Sequence, residues 1–104
     1  MRPIHLVHLD KTRSALVLTR DLARGAMNNV TVAPITSTVK GLSTEVAIGS
    51  QQGVDDRSVI SCDNIHTVPV TRLGRVVGFL PDSLEPALAE AIVNAFDLHV
   101  EDIA

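Results

Sequence analysis

Two short apolar segments constrain this chain most: residues 14–19 (SALVLT) and 30–36 (VTVAPIT), with Arg13 just before the first and Thr36 closing the second. Both read as strands. If the connector between Arg20 and Asn29 folds back as a hairpin, the register that pairs those two residues also pairs Arg13 with Thr36. A cation and a hydroxyl then share one end of a sheet, on strands about 4.8 Å apart. That is a candidate anion site, and phosphate is the first anion to consider.

What surrounds that site is bounded by composition. A chain of 104 residues, 45% hydrophobic and 20% charged, fits one globular domain over 1–104 with a modest core. Trp and Tyr are absent and Phe79 and Phe96 are the only aromatics, so an aromatic stacking platform for single strands is poorly supplied. A grip on RNA must lean on backbone amides, hydroxyls and arginines. The single cysteine, Cys62, rules out an intrachain disulfide and reads as a small buried strand residue. No signal peptide and no apolar run long enough to span a bilayer is present, so a cytoplasmic protein with no membrane partner is expected.

Net charge is −3, which argues against a general nucleic-acid coat, but the charge is unevenly spread. All nine Lys and Arg lie between Arg2 and Arg75, where six acids leave that part at +3. The other six acids, from Asp82 to Asp102, have no basic neighbour in sequence. A locally positive surface and an acidic C-terminal segment follow.

The remaining elements read as strands at 4–9, 44–48, 58–62, 65–70 and 75–79, with a turn at 49–53. Pro34 cannot donate to a ladder, so its nitrogen is expected to face outward from an edge or a bulge. One helix is predicted near the C-terminus, where Leu84, Leu88, Ala91, Ile92, Ala95 and Phe96 fall at helical spacing. Asp82 or Ser83 is the candidate cap, and Pro86 fits only in the first turn. Many short strands closed by one amphipathic helix give a mainly β, α+β fold: a small, partly open antiparallel SH3-like barrel with a C-terminal helix.

These elements, in this order, resemble the MazF/PemK family of toxin endoribonucleases across nearly the whole chain. The resemblance is carried by Arg13 with the apolar strand behind it, by the strand ending in Thr36, by residues 58–65 (SVISCDNI), and by the Leu/Ala helix. The family's Arg-Gly-Asp-Val start and its long Gly-rich loop are missing, with Lys11 and Thr12 in the loop's place. The resemblance implies a sequence-selective, metal-independent endoribonuclease that needs no cofactor. Its substrate would be single-stranded RNA, messenger or ribosomal, and its partners a cognate antitoxin and a second copy of itself.

In that chemistry a ribose 2′-hydroxyl attacks the adjacent phosphorus, leaving a 2′,3′-cyclic phosphate and a 5′-hydroxyl. Arg13 and Thr36 are the candidate donors to the more negative phosphoryl group, each preorganised donor being worth on the order of 10²–10³ in rate. Arg13 is also the candidate proton donor to the leaving oxygen. Asp10 is base, orienter of Arg13 or a turn cap. Ser37, Thr38, Lys40, Ser58 and Asn64 are candidate RNA contacts. His5 and His8 are three apart on a strand and so face opposite sides, while His66 and His99 have no carboxylate or cysteine at ligand spacing, so no metal site is expected. Two other readings are a gyrase-poisoning toxin like CcdB and a non-catalytic partner-binding barrel. The first relies on a C-terminal Trp-Gly-Ile end, and this chain has no Trp.

Overall fold

Seven strands and one helix are found in the computed structural model, which describes residues 1–20 and 25–99. In chain order the strands are β1 (Arg2–His8), β2 (Thr12–Val17), β3 (Asn29–Thr36), β4 (Glu45–Ile48), β5 (Ser58–Ser61), β6 (His66–Pro69) and β7 (Leu73–Leu80). The helix, α1, spans Glu85–Phe96. The strands form one curled antiparallel sheet in the order β4-β5-β3-β2-β1-β7, with β6 paired to β3 off that path. This is the mainly β barrel with a C-terminal helix that the strand pattern predicts.

The sheet curls because β2 and β3 are apolar on both faces. Leu16, Ala33 and Ile35 join Ile4, Ile60 and Leu80 in the main core, which α1 covers with Leu88 and Ala91. Ala15, Val17, Val30 and Val32 face the other way into a second cluster with Val7 and Val68. A strand buried on both sides reads as a continuous apolar run, which is why residues 14–19 do not alternate. Burial on both faces also fixes register, since a one-residue slip would exchange the two side-chain sets.

β3 is a central strand with a regular register against β2, which corrects the expectation of an edge or a bulge at Pro34. One flank of β3 pairs with β2; the other pairs with β6 through residues 29–32 and with β5 through Ile35 and Thr36. The amide and carbonyl of Thr31 point to the β2 flank, where they meet Thr19 Oγ1 and the Leu18 amide. By alternation the nitrogen of Pro34 points to the opposite flank, in the gap where β6 has ended and β5 begins. The missing N–H therefore falls where no ladder partner stands.

Three other local expectations change. Asp82–Leu84 forms a 3-10 turn that runs directly into α1, so neither Asp82 nor Ser83 caps it by side chain, and Pro86 sits in the first turn. Phe96 is 55% exposed and lies outside the core. Cys62 is buried but opens a 3-10 turn, Cys62–Asn64, rather than ending a strand. Within the acidic segment, two residues gain cationic partners from the N-terminus: Glu85 pairs with Arg2 at 2.7 Å and Asp82 with the amino group of Met1 at 3.0 Å.

The two sheet edges approach at a pair of glycines. The 3-10 turn Ser50–Gln52 after β4 lies against β7, on the far edge. A Cβ on Gly78 would stand 1.8 Å from the Gln52 carbonyl oxygen, and one on Gly53, whose φ is +84°, would stand 2.0 Å from that of Val77. Both obstacles are backbone and cannot rotate away. Gly78→Ala should therefore lower unfolding free energy by about 1–3 kcal/mol, read as a lower urea midpoint. Gly25→Ala, with no atom within 4 Å of the new methyl, should stay within about 0.5 kcal/mol of wild type.

Candidate active site

The β2–β3 ladder pairs Ala15 with Pro34, Leu16 with Ala33 and Val17 with Val32. Continued by two residues, this register sets Arg13 opposite Thr36, as the hairpin argument requires. Residues 21–24 of the connector lie outside the described residues.

Arg13 is held from the β1–β2 turn. Its Nη2 reaches both oxygens of Asp10, at 3.2 and 3.3 Å, while its side chain keeps 29% exposure. Nε is enclosed without a hydrogen-bond partner, so the guanidinium is anchored at one corner and incompletely satisfied. Thr36 Oγ1 accepts the Thr38 amide at 3.1 Å, which leaves its hydroxyl proton to donate elsewhere. The carboxyl of Asp10 is lowered below its ordinary value, chiefly by the Lys11 amide; desolvation opposes this, and the charge of Arg13 adds a smaller lowering. It is therefore a carboxylate at neutral pH and a weak proton acceptor.

Arg13 and Thr36 line two depressions at once, one of about 670 Å³ and one of about 540 Å³. The larger also takes Asp10, Thr38, Lys40 and Asn64; the smaller takes Ser37 and Ser58. Every candidate residue read from the sequence thus borders the Arg13–Thr36 wall. They differ in freedom. Ser58 is buried and donates to the Asp55 carbonyl at 2.7 Å, and Asn64 Nδ2 donates to Ser61 Oγ at 2.9 Å. Ser58 is mainly a turn anchor. The carboxylate of Glu45 accepts the amides of Lys40 and Leu42, and Asn94 of α1 donates to the Ser43 carbonyl, so the β3–β4 loop is organised from both ends.

Several lining residues escaped the sequence reading. Lys11 and Arg75 border the smaller depression, and Asp63 and His66 the larger. Arg75 reaches the site only because β7 pairs with β1, a contact between distant parts of the chain with no local sign. His66 is carried by the pairing of β6 with Val32. His5 and His8 are occupied by the Gly74 carbonyl and Thr12 Oγ1. Among the described residues no group of three or more His, Cys, Asp or Glu is arranged to hold a metal, and no helix is long and apolar enough to cross a membrane.

A curled antiparallel sheet closed by one helix, with an arginine and a threonine at facing strand ends between two depressions, defines a class of small toxin domain. The sequence matches that class over residues 6–96, and the chain belongs to the family of PemK-like, MazF-like toxins of type II toxin–antitoxin systems. It is 59% identical over 98 residues to endoribonuclease MazF3 of Mycobacterium tuberculosis, covering 94% of this chain and 95% of that one. Its fold is similar to the solved structure of the Mycobacterium tuberculosis toxin MazF-mt6, with a TM-score of 0.92 and 58% identity over 94% of this chain and 99% of that one. A mycobacterial endoribonuclease solved with its cognate antitoxin shares the fold at 20% identity, with a TM-score of 0.83 and 93% of each chain covered.

Beside this site, burial pushes the Cys62 thiol up to about 11, with the charge of Asp63 adding to the effect. The native protein should leave a thiol-reactive dye almost unmodified at pH 8 and react fully once unfolded in urea. Rapid native labelling would mean that the end of β5 opens readily.

Proposed function

We propose that this MazF-family endoribonuclease toxin cuts single-stranded RNA, messenger or ribosomal, at the wall formed by Arg13 and Thr36, by attack of a ribose 2′-hydroxyl. The observation that carries the reading is the β2–β3 register, which faces an anchored guanidinium with a hydroxyl whose proton is uncommitted.

The attacking 2′-oxygen gives its proton to solvent water as it bonds to phosphorus, the P–O5′ bond breaks, and the departing 5′-oxygen takes up a proton. Between these events the phosphoryl oxygens carry extra negative charge. Arg13 meets that charge with two N–H donors and Thr36 with its hydroxyl. Arg13 is also the candidate proton donor to the leaving oxygen. Asp10 acts as the orienter. Its ion pair is complete above the ordinary carboxylate value of 3.8 and is lost only as pH falls through its lowered value. These side chains supply the charge stabilisation that a metal provides in other nucleases, so the reaction runs without one.

Ser37, Thr38, Lys40 and Asn64 flank the wall and are placed to touch neighbouring nucleotides, giving selectivity for sequence, while Ser58 shapes the turn beneath them. A strand of RNA longer than this small surface is held by a homodimer, with the subunit boundary extending the groove. The toxin acts in the cytoplasm and is neutralised by a cognate antitoxin, an acidic segment that folds onto the same cationic surface. Support for that partner comes from the relative solved with its own antitoxin.

Incubation with a mixed RNA pool in EDTA, with mapping of 5′-hydroxyl ends, should yield discrete cut sites. Arg13→Ala and Thr36→Ala should each lower single-turnover cleavage at least about 10²-fold with the fold intact. Arg13→Lys should rescue poorly, since a point charge cannot reproduce the fork, and Asp10→Asn should cost less than Arg13→Ala. Wild-type rates in a folded Arg13→Ala variant would remove the mechanism. A 2′-deoxyribose at the mapped cut site should abolish cleavage and spare most binding. Cleavage of that strand, or loss of activity in EDTA, would indicate a water nucleophile and a metal.

A further inference from the structure

The two depressions beside the Arg13–Thr36 wall differ in charge. The larger holds Arg13 and Lys40 against Asp10, Glu45 and Asp63, and includes the apolar Leu9, Pro34 and Leu42. The smaller holds three cations, Lys11, Arg13 and Arg75, against one acid, Asp55, among hydroxyls of Ser14, Thr36 and Ser37. Neither Lys11 nor Arg75 has an ion-pair partner among the described residues. Exposed cations that outnumber the acids around them repel one another, and a polar concavity lined by them is complementary to an anion.

Backbone geometry brings these cations together. Lys11 lies in the β1–β2 turn, where its carbonyl accepts the Leu9 amide at 3.1 Å. Leu6 of β1 pairs with Ser14 of β2 on one side. On the other side the β1–β7 register shifts between His5, opposite Val76, and Val7, opposite Leu73, so two residues of β7, Gly74 and Arg75, stand against Leu6. A bulge of this kind re-aims a side chain. Gly74 fits the tight side of it, since a Cβ there would meet the Leu6 carbonyl oxygen at 3.1 Å. Arg75 is thereby two strand spacings, about 10 Å, from Ser14, and its long side chain lines the same concavity as Arg13.

Resting on the reading of Arg13 and Thr36 as the cleavage site, we propose that Lys11 and Arg75 form a second phosphate subsite, which binds the RNA backbone linkage next to the one being cut. Arg75 presents a planar fork to the phosphate oxygens and Lys11 a point charge. The subsite fixes which way the strand crosses the Arg13–Thr36 wall: a phosphate enters the cationic depression, and the nucleotide on the other side of the cut lies over the larger, acid-lined one. Lys11 and Arg75 are binding and positioning residues, so their loss should raise KM more than it lowers kcat.

The test is a coupling measurement on a short single-stranded RNA carrying 2′-deoxyribose at the mapped cut site. A neutral methylphosphonate is moved through the linkages flanking that site. At one neighbouring linkage it should weaken wild-type binding about ten-fold, the scale of one charged hydrogen-bond contact. The same change should weaken Arg75→Gln or Lys11→Gln far less. Each variant should also reduce the salt slope of binding by about 0.7, with urea midpoints near wild type. Additive effects at every linkage would overturn the subsite. So would variants that keep wild-type RNA affinity and weaken only the antitoxin complex, which would make this depression a protein-docking surface. Coupling together with wild-type cleavage rates in a folded Arg13→Ala variant would overturn the cleavage reading alone; loss of cleavage in Arg13→Ala without coupling would overturn the subsite alone.

Discussion

The structure depends on the antiparallel ladder between β2 and β3. Its three recorded pairs, from Ala15–Pro34 to Val17–Val32, are made by residues buried on both faces of the sheet. Ala15 and Val17 belong to one core and Leu16 to the other, so a slip by one residue would disrupt both cores together. The same ladder sets the positions of Arg13 and Thr36, which lie just beyond its paired region. Core packing and site geometry therefore share one register. A substitution deep in β2 or β3 that shifts the ladder would misplace the site without touching it.

The site is supported from outside by elements that take no part in it. Arg2 joins the start of α1 to the end of β2, through Glu85 at 2.7 Å and the Leu18 carbonyl at 2.8 Å. Both charged side chains keep substantial exposure, so this pair contributes at most about 1 kcal/mol and acts mainly as an orienting contact. From there α1 closes the main core with Leu88 and Ala91 and, near its far end, holds Ser43 through Asn94. Ser43 follows the segment that carries Lys40 and Leu42, whose amides are already fixed by Glu45. The helix thus shapes one bank of the larger depression through the loop, without lining it.

What was legible in the sequence follows the range of the interactions involved. The facing of Arg13 and Thr36 could be read because it depends on one hairpin and one register. The helix could be read because apolar residues at 3.6-residue spacing need no partner to be recognised. Pro34 was legible only as a disturbance. A proline in a central strand requires two different neighbours on one flank, and the handover from β6 to β5 is settled by pairings of residues more than twenty positions away. Arg75 was not legible at all: its place depends on the last strand returning to the first and on a bulge within that pairing. The apolar spacing of Phe96 was misleading, since Ile92 and Ala95 pack against the core while the ring of Phe96, the last residue of α1, stays exposed.

The bulge at Arg75 and the glycine contact at Gly78 lie on the same strand, at two separate shifts of its register against β1. A sheet of this size cannot stay regular while curling far enough for its edges to meet. β7 takes up the difference twice along its length, once where Gly74 and Arg75 both face Leu6, and again where Ile4 pairs with Gly78 and His5 with Val76. At the second irregularity Gly53 and Gly78 let the turn after β4 press onto β7. At the first, the extra residue brings a guanidinium into the depression beside Arg13. Two irregularities of one strand thus serve two ends: one admits the turn after β4 against β7, and the other places a second cation beside the first.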